Sequence, residues 1–252
     1  MNALLGIQLQ LAQRLRGDKR GVAALEFALI LPFMLTLYIG IAEISKGYMA
    51  SQRMTLVART LADLVAQQGQ AQQPAPGCTL SSGSVTFSDS CLSTIFGAAQ
   101  AIMSPYDTNT ANSGILKMTI SQILVSLKSD GTCCQAKTDW TYASTGATKR
   151  PCQVLTAADV KPVSMTTIPT GYVSTNSPLA NNLKSKTDTT PLIISDVTYA
   201  YTPFGGKLSF KLFNWKSPDT LNMAQTQYMT PRTSAAAPSK LNYSGSTGTD
   251  CP

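Results

Sequence analysis

The chain has 252 residues, of which 13% are charged and 43% apolar, with a net charge of +7, six cysteines and no histidine. Without His, Ser-His-Asp and Cys-His catalysis and the usual mixed zinc sites are excluded. Seven basic and four acidic residues precede residue 78, and thirteen and nine follow it; the later lysines (Lys117, Lys128, Lys137, Lys149, Lys161) are scattered. A nucleic-acid surface needs a dense basic stripe with interleaved aromatics, so no nucleic-acid partner is expected.

Residues 1–21 end in a basic cluster of Arg14, Arg16, Lys19 and Arg20, opposed only by Asp18. The run from Val22 to Ile44 is almost wholly apolar. As a helix it would extend about 34 Å, sufficient for the ~30 Å hydrocarbon core of a bilayer. The positive-inside rule then keeps the N-terminus in the cytoplasm and places residues after about 46 outside. Cysteine placement gives the same polarity from different residues: Cys78, Cys91, Cys133, Cys134, Cys152 and Cys251 all follow the apolar run, as suits an oxidising compartment.

Two residues are unusual for a plain anchor. Glu26 lies one turn into the run, where it either sits at headgroup level or has a partner. Pro32 lies near the middle and removes a backbone donor, so a kink is expected. Beyond the run, Met54, Val57, Leu61, Leu64 and Val65 recur at spacings of three and four, marking one apolar helix face, and Arg59 and Asp63 are spaced to pair across a turn. A continuous helix over about 22–68 is expected, its apolar face packing either against other subunits or against its own domain. It stops at a polar linker containing Gly69, Pro74 and Pro76.

Gly21-Val22-Ala23-Ala24-Leu25-Glu26-Phe27, preceded by basic residues and followed by an apolar helix, resembles a prepilin peptidase recognition site. The Glu-Phe pair and following Pro32 resemble the TadE-like pseudopilins of tight-adherence (Flp-type) pilus systems more than other pilins. The resemblance implies cleavage after Gly21, leaving Val22 as the first mature residue and Glu26 as the fifth, followed by Phe27. It also implies that Glu26 neutralises the new terminal amine of an adjacent subunit, since each group removes the other's unpaired charge. The implied partners are a prepilin peptidase, other pilins or pilus assembly proteins, and the membrane.

The remainder reads as mainly β. Ser93–Met103 forms one apolar helix face, with Asp89 or Ser90 as N-cap. Leu116–Leu127 alternates as a strand with a phase shift between Ile120 and Ile123, followed by a turn at Asp130-Gly131; Trp140–Tyr142 is a short strand. Leu192–Tyr201 and Lys207–Phe213 are expected as an antiparallel hairpin through Thr202–Gly206, with Lys207, Lys211 and Lys216 on its wet side. Residues 156–190 are expected as a long ordered loop or a mobile insert, and the tail from Ser234 as poorly ordered unless Cys251 ties it down. The segment 195–204 (SDVTYAYTPF) and the later MTPR (229–232) resemble the C-terminal half of TadE/TadG-like proteins; residues between 68 and 192 are outside the resemblance. The DxSxS motif of a larger TadG-type domain is absent.

No CxxC, Walker A or dinucleotide GxGxxG occurs, so no cofactor, metal, small-molecule substrate or catalytic residue is expected. Six oxidised cysteines allow fifteen pairings. The preferred set is Cys78 with Cys91, Cys152 with one of Cys133 and Cys134, and Cys251 with the other, the two adjacent cysteines being read as poor partners for one another.

The expected fold class is α+β: a long N-terminal membrane-spanning helix continuing into an amphipathic helix, then an exported, mainly antiparallel-β domain with one packed helix and disulfides. The expected segments are a cytoplasmic basic leader (1–21), a transmembrane helix (22–45), an amphipathic juxtamembrane helix (46–70), a linker (71–77) and the exported domain (78–252). The expected location is the inner membrane, single-pass, with the C-terminal domain periplasmic or surface-exposed. The leading function is a minor pseudopilin of tight-adherence pilus assembly that is not an enzyme. The alternatives are an uncleaved anchored binding module, or a secreted enzyme with a signal peptide cut near Gly40-Ile41-Ala42.

Overall fold

The computed structural model describes residues 20–68, 76–81, 84–108, 115–159, 164–203, 220–232 and 240–251. The chain divides into two compact units, residues 1–48 and 49–252. Helix α1 (Arg20–Gln68) runs through both, helical on either side of Pro32. Within its interior only the carbonyl four residues before Pro32 loses its helical donor, so one proline does not end so long a helix.

In the first unit, the described part of α1 carries its apolar side chains outward, as developed below. In the second unit, α1 residues from Ala50 to Ala66 form a stripe. Ala50, Met54, Val57, Ala58, Leu61, Ala62, Val65 and Ala66 are buried, recurring at the expected helical period. The alanines let the helix approach closely, and the four larger residues each contribute about 1.5–3 kcal/mol by burial. The stripe packs into the core of its own domain, which is one of the two roles open to it in the sequence.

After β1 (Thr79–Ser81) and β2 (Ser84–Phe87), helix α2 spans Asp89–Ala101. It starts earlier than Ser93, and its N-cap is Ser88 rather than Asp89 or Ser90: the Ser88 hydroxyl accepts from the Cys91 amide at 3.2 Å. Ser88 also donates to the Gly77 carbonyl at 2.5 Å, tying the helix start to the chain just before β1.

The main sheet has β3 (Leu116–Ser126), β4 (Gln135–Ala143), β7 (Thr189–Tyr201), β8 (Leu221–Met229) and β10 (Thr249–Asp250), in order β10-β4-β3-β7-β8 and antiparallel throughout. A smaller sheet joins β1, β2 and β9 (Asn242–Tyr243), and β5 (Thr156–Ala157) pairs with β6 (Thr167–Ile168). The sheet is covered on both faces, which explains the change of phase expected in β3. Met118 and Ile120 enter the core shared with α1 and α2, while Ile123 and Val125 enter a second core with Leu155, Ile168, Leu179 and Leu183. β3 itself keeps an unbroken register with β7; the irregularity lies in its pairing with β4, where Gln122 faces Trp140 and Ile123 faces Thr138.

Two sequence expectations are revised and a third lies outside the described residues. Trp140–Tyr142 is the end of a nine-residue strand, because its polar first half pairs with β3 and needs no apolar signature. Both edges of β7 are taken, by β3 and β8; residues 207–213, expected as its hairpin partner, lie outside the described residues. The described parts of 156–190 are an ordered cover for the second sheet face rather than a mobile insert, with short strands of their own, and contribute Ile168, Leu179 and Leu183 to its core.

Candidate membrane segment and processing site

The first unit carries the candidate site. Helix α1 opens at Arg20, so Gly21 and Val22 stand in its first turn, while Arg14, Arg16 and Lys19 lie outside the described residues. From Ala24 onward α1 is long and apolar enough to cross a membrane: its most apolar 18-residue window has a mean hydropathy of 2.0, and none of it is buried. Leu25 and Phe27 are each 65% exposed, and Leu29, Phe33, Leu35 and Tyr38 continue the pattern on all sides. A helix apolar all round and uncovered by its own protein is suited to an apolar solvent.

Polar groups within the span are handled locally. The Thr36 hydroxyl donates to the Phe33 carbonyl at 2.8 Å and that of Ser45 to the Ile41 carbonyl at 2.9 Å, so neither needs water. Glu43 and Lys46 pair at 3.6 Å near the end of the run. Glu26 is exposed, one residue from Leu25 and Phe27, and its carboxylate projects from an apolar surface. That placement leaves it open to a charge from outside the chain. Gly40, Ile41 and Ala42 are in the helix interior.

The second unit is tied to its part of α1 by polar contacts the sequence did not foretell. Asp63 pairs with Arg232 at 2.7 Å rather than with Arg59, and the Arg232 amide donates to the Ala66 carbonyl at 2.9 Å. Arg53 donates to the carbonyls of Ile102 and Ser104, and Gln225 to the Thr55 hydroxyl at 3.0 Å. On the opposite sheet face, Arg150 is 1% exposed and its guanidinium meets Asp196 at 2.6 Å and the Met165 carbonyl at 2.8 Å. The Thr226 hydroxyl completes Asp196 at 2.7 Å. This buried ion pair, in which both terminal guanidinium nitrogens find acceptors while Arg150 Nε has none, fixes the 164–168 cover onto β7. Its sequence signal is Asp196 itself, a charge in a strand otherwise apolar enough to be buried on both faces, which demands a cationic partner.

The cysteines form three disulfides: Cys78–Cys91, Cys133–Cys134 and Cys152–Cys251. The first coincides with the preferred pairing. The other two correct it, since neither Cys152 nor Cys251 joins the adjacent pair. The reason is the placement of the tail: β10 pairs with β4 at Thr141 and Trp140, and the Cys251 amide donates to the Asp139 carbonyl at 2.6 Å, setting Cys251 beside the chain that follows β4. Cys133 and Cys134 enter β4 from the other end, beside Ser174 and the second core, and are left to each other.

The tail is thereby ordered over 240–251. Leu241 is 1% exposed; its carbonyl accepts from Trp140 at 2.9 Å and its amide donates to the Gln122 side chain at 3.0 Å. Asp89, in the first turn of α2, accepts from the Tyr243 hydroxyl, from the Ser246 amide at 2.9 Å and from the Thr247 amide at 2.8 Å. Partial burial alone would push its carboxyl up, but the hydrogen bonds from Tyr243, Thr247 and Ser246 outweigh this and hold it well below the usual carboxylate range. Among the described residues no cluster of three or more His, Cys, Asp or Glu could hold a metal.

Residues 21–63 match the family model described as TadE-like protein. This segment is TadE-like. The match begins at Gly21, covers the exposed apolar run and ends within the packed half of α1; it does not reach the 192–232 segment whose short motifs also resemble the family. Comparisons with curated proteins and with solved structures give no match. The match links residues 21–63 to a family associated with Tad pilus assembly.

Proposed function

We propose that this chain is a membrane-anchored pseudopilin-like component of tight-adherence pilus assembly, cleaved after Gly21 by a prepilin peptidase and working through protein contacts. The observation that supports the reading most directly is the exposed apolar half of α1 within the TadE-like match, with Gly21-Val22 at its head. The basic cluster Arg14, Arg16, Lys19 and Arg20 holds the leader in the cytoplasm, and the disulfide-bonded domain is delivered to the outer side. Glu26, exposed on an apolar surface, offers a carboxylate to the amine that cleavage creates at Val22 of a neighbouring subunit. The secreted-enzyme alternative is disfavoured, because a cut near Gly40-Ile41-Ala42 would sever α1 in its interior.

N-terminal sequencing of the membrane-extracted protein tests the proposal. Val22 as first residue is expected, and Gly21→Ala should leave the leader attached. A mature chain that starts at Met1 in the wild type would replace this reading with that of a permanently anchored module.

A further inference from the structure

The three disulfides differ in what each ties and in how it can be reached. Cys78–Cys91 spans 13 residues and is sealed, with Cys91 fully buried and Cys78 9% exposed. Cys133–Cys134 joins neighbours, so opening it frees no segment. Cys152–Cys251 spans 99 residues, and its two ends differ: Cys251 is buried whereas Cys152 is exposed.

What Cys152–Cys251 holds is the outer half of the C-terminal strap. The inner half is anchored by burial of Leu241 and Tyr243 and by the bonds of Leu241 to Trp140 and Gln122. The outer half, 244–251, is mostly exposed and rests on a two-residue strand, on Asp89, on amide bonds from Ser244, Gly248 and Cys251 to the Phe87 carbonyl, the Tyr243 hydroxyl and the Asp139 carbonyl, and on the disulfide. Its loop is built for close approach: a Cβ on Gly245 would collide with the Asp89 carboxylate and the Tyr243 hydroxyl, and one on Gly248 would lie 2.8 Å from the Thr141 carbonyl. β10 covers the edge of β4 at Trp140 and Thr141. Thr247 walls an open hollow of about 450 Å³ floored by Phe96, Met118 and Tyr142.

We propose that Cys152–Cys251 is a thiol–disulfide exchange site that latches this strap, opened by a dithiol that attacks at Cys152. A thiolate of the dithiol bonds to the Cys152 sulfur and the Cys251 sulfur leaves as thiolate, taking a proton from solvent. The second thiolate of the dithiol then attacks its own sulfur in the mixed disulfide and releases Cys152. The dithiol has lost two electrons and two protons and become a disulfide; the protein has gained two thiols. With the tie gone, residues 244–251 can leave the β4 edge and the hollow beside α2, while Leu241 and Tyr243 stay in the core.

The full-length protein in detergent micelles is treated with graded dithiothreitol, quenched by alkylation and mapped by peptide mass spectrometry, with hydrogen exchange followed in parallel. Cys152 and Cys251 should become alkylated roughly tenfold or more faster than Cys78 and Cys91, because Cys152 is an exposed residue and both Cys78 and Cys91 are buried. Amide exchange at Ser246, Thr247 and Cys251 should rise in step, with Leu241 still protected. The Cys152→Ser/Cys251→Ser variant should show that raised exchange without reductant. Alkylation of Cys78 and Cys91 as early as Cys152 overturns the proposal, as does opening of the disulfide with the strap amides still protected. The second result can be read on the wild-type chain even if the variant fails to fold.

Discussion

The two halves of α1 are made from much the same apolar residues and meet opposite environments. Leu25, Phe27, Leu29 and Phe33 are exposed on a helix that is apolar all round, whereas Met54, Val57, Leu61 and Val65 are buried on a helix that carries Arg53, Arg59 and Gln67 on its other sides. The difference is one of distribution rather than amount. A helix with no polar side has no unique face to offer a sheet and is best served by an apolar solvent, while a stripe one face wide specifies a single docking direction. Interleaved Ala50, Ala58, Ala62 and Ala66 then allow the close approach that turns direction into packing.

The largest expected effect contrasts these halves directly. Leu61→Ala removes a fully buried side chain from the core of the second unit and should cost about 2–5 kcal/mol of domain stability, the spread reflecting how far the site collapses. Leu31→Ala, on a residue 45% exposed in the other half, should change the same quantity by no more than about 0.5 kcal/mol. Urea unfolding of both full-length variants in detergent, followed by tryptophan fluorescence, makes the comparison. Equal losses would show that the apolar half of α1 also supports the domain, and the contrast drawn here would fail.

A smaller effect concerns the contact between the strap and the first turn of α2. Asp89→Asn should lower stability by about 1–2 kcal/mol at neutral pH, through weaker bonds to Tyr243, Ser246 and Thr247 and loss of a charge at a helix start. The folded carboxyl is held below its unfolded value, so its contribution is fully present above about pH 4 and is lost as pH falls toward the folded value. The gap between wild type and variant should therefore narrow below about pH 4 in a series of unfolding curves. A gap that stays constant down to pH 2 would assign the loss to packing instead of charge.

What could be read in advance follows the range of the interaction. Periodicity and hydropathy are local, so α1, α2, β3 and β7 were legible from runs such as Met54–Val65 and Leu192–Tyr201. The N-cap was misplaced because three consecutive candidates, Ser88, Asp89 and Ser90, have capping side chains, and only the contact of Ser88 with Gly77 distinguishes them. Arg150 was missed for a different reason. It sits in a polar stretch with no pattern, and its partner Asp196 is 46 residues away. The disulfide between Cys152 and Cys251 was equally hidden, since it depends on β10 adding to β4. At the candidate site the balance is reversed: Gly21, Glu26 and Phe27 form a compact motif readable without the fold, and they fall within the segment that matches the family.

The smallest expected effect concerns the joint between the end of α1 and the chain after β8. Arg232 and Asp63 are paired at 2.7 Å, but their side chains are 53% and 31% exposed, so solvent screens the attraction. Arg232→Ala should cost only about 0.3–1 kcal/mol. Two features limit the loss further. The Arg232 amide still reaches the Ala66 carbonyl after substitution, and Gln67 still donates to the second oxygen of Asp63 at 2.6 Å. A double-mutant cycle with Asp63→Ala, measured at low and high salt, should give a coupling below about 1 kcal/mol that weakens as salt rises. A larger coupling, insensitive to salt, would mean that charge and not the alanine-lined stripe holds this end of the helix to its domain. The packed half of α1 would then owe its place to an electrostatic clamp at one end, and the distinction between a stripe that specifies docking and a surface that does not would lose its physical basis.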